Sequence, residues 1–103
     1  MDTMNRKKLK SAEVLIKYSW MRDHQSFATT DCQMGIIDWD LIEKTNWTFH
    51  QAILVEVLKF LVLEESNVSL DDLMALYPYD RQAVLTALNV KFAVNELQEN
   101  LEK

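Results

Sequence analysis

One glycine and one proline stand in 103 residues, at Gly35 and Pro78. All-β sandwiches and barrels need a turn about every 8–12 residues, and turns draw on Gly and Pro. Collagen-like, Gly-rich and β-repeat classes are excluded on the same ground, and a mostly helical chain with few turns is favoured. Apolar residues make up 49% of the chain and charged residues 26%, an ordinary balance for a folded domain and the wrong one for disorder. A chain of this length makes one domain, residues 1–103, with residues 1–4 expected as a disordered tail. It can bury roughly two-thirds of its unfolded surface. That is enough for a core, with no deep cavity besides.

Hydrophobic periodicity places the helices. From Asn5 to Arg22, Leu9, Ala12, Leu15, Ile16, Tyr18, Trp20 and Met21 recur at helical spacing, with Lys7, Lys8, Ser11 and Glu13 on a wetter side. Residues 23–35 hold Ser26, Thr29, Thr30, Asp31 and the glycine with little periodicity, and read as a loop. Residues 34–37 suit a short extended piece, and Asp38 suits the N-cap of a short helix reaching Thr45. Thr48 and Gln51 have capping-box spacing ahead of an apolar run from Ala52 to Leu63, broken only by Glu56 and Lys59. A helix apolar on nearly every face belongs at the centre of a fold. Glu64 and Glu65 at its end oppose the helix dipole and mark the edge of regular structure.

Ser69 with Asp71 and Asp72 opens another short helix, for which Leu70, Leu73, Met74 and Leu76 supply one face. Pro78 forces Tyr77 out of helical geometry. Asp80 is expected to cap a last long helix, Arg81 to about Leu101, along which Ala83, Ala87, Val90, Val94, Leu97 and Leu101 repeat at 4-3-4-3-4 spacing. Val84, Leu85, Leu88 and Phe92 form a second row beside its first half, so that only the second half is a narrow, coiled-coil-like seam. The fold expected is all-α, four or five helices around the helix at 49–63.

Charge and cysteine usage narrow the setting. Residues 1–22 carry six Lys/Arg against two acids, and residues 23–103 carry five against fourteen, so a basic start of +4 precedes an acidic body of −9. Such a body repels phosphate backbones and favours solubility or basic partners. Cys32 is the only cysteine, so no intrachain disulfide forms, and Glu13 and Lys17 interrupt what a signal peptide would keep uncharged. No apolar stretch approaches the roughly 20 residues a membrane span needs. The expected compartment is the cytoplasm.

No catalytic residue, cofactor or metal is assigned. The acids Asp38, Asp40 and Glu43 lack the Gly and bidentate Glu of a calcium loop. His24, Cys32 and His50 stand 8 and 18 residues apart, without the close pairs of a zinc site. Nothing marks an orienting group or oxyanion hole for a Cys32–His50 pair, although a free thiol in a loop keeps some reactivity. A single glycine builds no phosphate loop.

Binding is what remains. Trp and Tyr are the favoured anchors of protein interfaces, and Trp39, Tyr77 and Tyr79 sit beside predicted breaks. Val94, Leu97 and Leu101 would join them as a partner interface, either as a homodimer contact or folded back on the first helix. A small acidic non-catalytic protein that regulates or inhibits a protein partner is therefore the leading expectation. The stretch from Ser69 to Leu88 is similar in spacing to a helix-turn-helix, with Leu73, Met74, Val84 and Leu88 inward, which implies a DNA-binding alternative. Its contacts would be Arg6, Lys7, Lys8, Lys10, Arg81 and Gln82. Pro78 stands where that pattern usually has Gly, and few bases are available for phosphates. A structural subunit of a larger assembly is the third reading.

Overall fold

A computed structural model describes residues 3–92, with side chains from Arg6 onward. Its most buried helix is the one the apolar run demands. Counting the five α-helices of the described residues in chain order, this is α3 (Phe49–Leu63). The Gln51 N–H donates to Thr48 Oγ1 and the Thr48 N–H donates to Gln51 Oε1 at 3.0 Å, closing the capping box. Ile53, Leu54, Val55, Val57, Leu58 and Leu61 are all buried. The helix ends at Glu64, which takes a left-handed φ of 59°.

Two further long helices, α1 (Thr3–Lys17) and α5 (Pro78–Phe92), complete the core. Lys8, Glu64 and Lys91 meet in ion pairs where α1 begins and where α3 and α5 end. Tyr18 shares a cleft with Tyr79 and Gln82 at the opposite end, and Trp20 meets Trp47 there. So α1 runs antiparallel to both α3 and α5. The widest helix–helix contact is α1 on α5, not a contact of α3. Ser11 and Ala12 on α1 and Ala83 and Ala87 on α5 are buried, and side chains this small let two helices approach closely. The buried Ser11 hydroxyl donates to the Lys8 carbonyl at 2.7 Å, which removes the cost of hiding it. The described part of the 83–101 row is thus internal; Val94, Leu97 and Leu101 lie outside the described residues, as does the rest of the helix expected to reach 101.

Both ends of the first helix differ from expectation. It begins at Thr3, inside the expected tail, and stops at Lys17 instead of Arg22. Ser19 causes the stop: its backbone is extended and its side chain accepts the Met21 N–H, opening a 3₁₀ turn at Trp20–Asp23. The last helix begins at Pro78, so Asp80 lies within its first turn and is not its cap. Proline at a first helical position loses no hydrogen bond, since that N–H would have no intrahelical partner.

The segment from Asp23 to Gly35 is not a plain loop. It makes 3₁₀ turns at Gln25–Phe27 and Cys32–Met34, and buries Ser26, Phe27 and Cys32. Asp31 and Ile36 pair in one antiparallel bridge, the extent of the expected extended piece. The single glycine closes this turn with a φ of 72°, a conformation other residues resist. Helix α2 (Trp39–Lys44) follows its Asp38 cap as expected. Lys59 on α3 pairs with Glu43 and holds α2 in place.

Candidate functional site

Helix α4 (Leu70–Met74) is only five residues long, and the site follows from that. Ser69 and Asp72 form a reciprocal capping box at its start, and Pro78 follows closely, so it is confined at both ends. One and a half turns do not bury the face that Leu70, Leu73, Met74 and Leu76 supply. Leu76 is buried and Leu73 half-buried, but Leu70 is 82% exposed and Met74 70% exposed. The inward placement expected of Met74 is therefore wrong.

What α4 leaves uncovered is an apolar groove of about 360 Å³ between α3, α4 and α5. Val57 and Phe60 line it from α3, Val68, Leu70 and Leu73 from the linker and α4, and Val84, Leu88 and Phe92 from α5. Ser66 and Ser69 are the other lining residues among those described. Val57 and Val84 form a buried floor, whereas Phe92 at the rim is 57% exposed. The linker wall is pinned: Glu56, on α3, accepts from Ser66 Oγ and from the Asn67 N–H at 3.3 Å. Residues 60–80 carry five acids and no Lys or Arg. Two signals point to this groove in hindsight: the shortness of α4 between Ser69 and Pro78, and the 4-4 spacing of Val84, Leu88 and Phe92.

A second apolar surface lies where α5 begins. Tyr77 is 61% and Tyr79 85% exposed, with Tyr18 beside Tyr79. His50 stacks between Phe49 at 5.3 Å and Tyr77 at 4.8 Å. Burial pushes the Asp80 carboxyl above its usual range, against the opposing influence of His50. Trp39, by contrast, is half-buried and packs against the core. Trp20, His24, Phe27 and Trp47 form one cluster in which every ring pair lies within 6.3 Å. Trp47 Nε1 donates to the Ile42 carbonyl at 2.9 Å, so its polar end is satisfied.

The other singled-out residues are scattered. His24 belongs to the ring cluster and His50 to the Tyr77 stack, while Cys32 is buried beside α1 near Leu9 and Glu13. Desolvation, with Glu13 and Asp31 nearby, pushes the Cys32 thiol up to about 11. The free thiol that the sequence placed in a loop is thus a buried one. Among the described residues no three His, Cys, Asp or Glu side chains converge as a metal site. The candidate nucleic-acid contacts are not brought together. Arg6, Lys7, Lys8 and Lys10 open α1, whereas Arg81 and Gln82 open α5, about 15 Å away along the antiparallel pair. Lys8 pairs with Glu64 and Lys10 with Glu13.

No helix among the described residues is long and apolar enough to cross a membrane. Compared with models of known protein families, with curated proteins and with solved structures, the chain matches none.

Proposed function

We propose that this chain is a small acidic binding protein without chemistry of its own, which regulates or inhibits a protein partner by seating part of it in the α3–α4–α5 groove. The observation that carries the reading is the groove itself: a concave apolar surface whose floor, Val57 and Val84, is buried. Apolar concavities of this kind, not flat polar faces, are where a few side chains supply most of the binding energy. The exposed Tyr77 and Tyr79 extend the apolar surface available to a large partner. A cytoplasmic setting suits a domain with one cysteine, kept buried and reduced. We propose no homodimer through Val94, Leu97 and Leu101 as the primary function, because the described part of that row is spent on α1.

The DNA-binding alternative draws less support. Its basic residues lie at opposite ends of α1 and α5, and a duplex binder needs several phosphate contacts on one face. No gel shift with random duplex DNA is expected at about 150 mM salt; a clear shift lost on Arg81→Ala would reverse the order of the two readings. The binding reading itself is tested by affinity capture from the native host with the full chain and its Leu70→Ser variant. Leu70 is exposed, so the substitution leaves the fold intact. A protein held by the natural chain and lost with Leu70→Ser is the expected result; identical captures with both would remove the groove from the account.

A further inference from the structure

Three features of the groove describe what fits it, granted the reading above that it is a protein-binding site. The first is its walls. They are helices and a pinned linker, with no strand edge on offer, so an extended peptide has no ladder to join. The second is its size. Val84, Leu88 and Phe92 stand one turn apart along α5, a wall of about 12 Å. That is the reach of two turns of a partner helix, and 360 Å³ accommodates a few Leu-sized side chains from one helical face. The third is charge. Glu65 and Asp71, next in sequence to the lining residues Ser66 and Leu70, are exposed with no ion-pair partner among the described residues, while Glu64 is held by Lys8 and Lys91 and Asp72 is engaged in capping.

We propose that the groove receives an amphipathic helix of a partner protein, with large apolar residues at i, i+4 and i+7 and Lys or Arg flanking them. Charge decides between this occupant and the two nearer ones. A second copy would bring Glu65 and Asp71 against their own counterparts, on a molecule of net charge −5. Residues 93–103 carry Glu96, Glu99 and Glu102 against Lys103 alone, so this chain's own C-terminal segment lacks the basic flanks that would favour it as occupant. A basic helix is attracted and steered by Glu65 and Asp71, and its apolar face then closes the groove.

The test uses the full-length protein and three synthetic eighteen-residue peptides. The first has Leu at 4-3-4 spacing with Lys flanks, the second has the same Leu with Glu flanks, and the third keeps the Lys and Leu content but disperses the Leu. Fluorescence anisotropy at low salt is expected to show the first binding at least tenfold tighter than either other. Leu88→Ser should lose at least tenfold of that affinity. If Leu88→Ser unfolds, the exposed Leu70→Ser gives the same readout without touching the core. Equal binding of the Lys- and Glu-flanked peptides would overturn the basic character of the partner but leave a groove that binds helices. Equal binding of the dispersed peptide would overturn the groove as the site. If none binds while host capture still yields a partner lost with Leu70→Ser, the helical occupant is wrong and the binding reading survives. A concentration-dependent dimer abolished by Leu70→Ser would assign the groove to a second copy. Tighter peptide binding with Val94→Glu and Leu97→Glu together would assign it to this chain's own C-terminal segment. Each of these last two also overturns the proposal.

Discussion

Lys91 shows how one side chain substitutes for a missing local signal. Helix α3 ends on Glu64, an anion at the negative end of a dipole and in a left-handed conformation that favours glycine. From α5, Lys91 Nζ donates to the Leu61 carbonyl at 3.0 Å and to Glu64 at 3.2 Å, and lies 5.5 Å from the centre of the Phe60 ring. Its side chain is only 7% exposed, so these bonds are sheltered from water. Charged hydrogen bonds contribute about 1.5–3 kcal/mol, and Lys91→Met, which keeps the stem, should cost about that much in urea denaturation. Lys91, and after it Lys8, holds the Glu64 carboxyl below its usual range. The sequence marked the edge at Glu64 correctly but held no sign of the lysine 27 residues later that stabilises it.

Cys32 makes the second residue-scale prediction. Burial raises its thiol from 9.0 to about 11. Below pH 9 the thiol is neutral in both folded and unfolded chains. Between about 9 and 11 the unfolded chain sheds the proton while the folded chain keeps it, so stability falls as pH rises. Lys59, raised chiefly by its hydrogen bond to Glu43, loses its contribution in the same direction at higher pH still. The melting temperature should drop above pH 9, less so in Cys32→Ala, and the native thiol should react with a disulfide reagent at pH 8 far more slowly than the unfolded chain does.

Among the elements, those with local signals were readable and those set by tertiary contacts were not. Thr48 with Gln51, Ser69, and Asp38 each cap the helix their spacing predicts, because a cap is a bond between neighbours in sequence. The end of α1 depends on Ser19 turning the chain so that Trp20 reaches His24, Phe27 and Trp47, and hydrophobic spacing continues past it undisturbed. The groove escaped notice for a related reason. Counting Leu70, Leu73, Met74 and Leu76 as one inward face ignores that five helical residues cannot cover a channel between two fifteen-residue helices. The burial of α3 makes the sharpest element-scale prediction. Leu58 is 0% exposed at its middle, so Leu58→Ala should cost about 2–5 kcal/mol in a thermal or denaturant melt, the usual cost of a core cavity. A loss near zero would mean that α3 does not lie at the centre.

At the scale of the molecule, three long helices form a core with two different ends. One end is closed by the ring cluster and by α2; along the side of the other, α4 leaves an apolar groove. The all-α class was legible from Gly and Pro usage alone, since a fold without frequent turns has few alternatives. Of the three aromatics singled out beside predicted breaks, Tyr77 and Tyr79 are exposed, whereas Trp39 packs inward. The claim that the groove is where this protein meets its partner can be tested by recording backbone amide NMR spectra of the full chain as the Lys-flanked peptide is added. Shifts are expected to concentrate in Val57–Leu61, Val68–Leu73 and Val84–Phe92, with the α1 amides and the Trp20–Trp47 cluster unmoved. Shifts centred on α1 or on the ring cluster, with the groove amides silent, would contradict it.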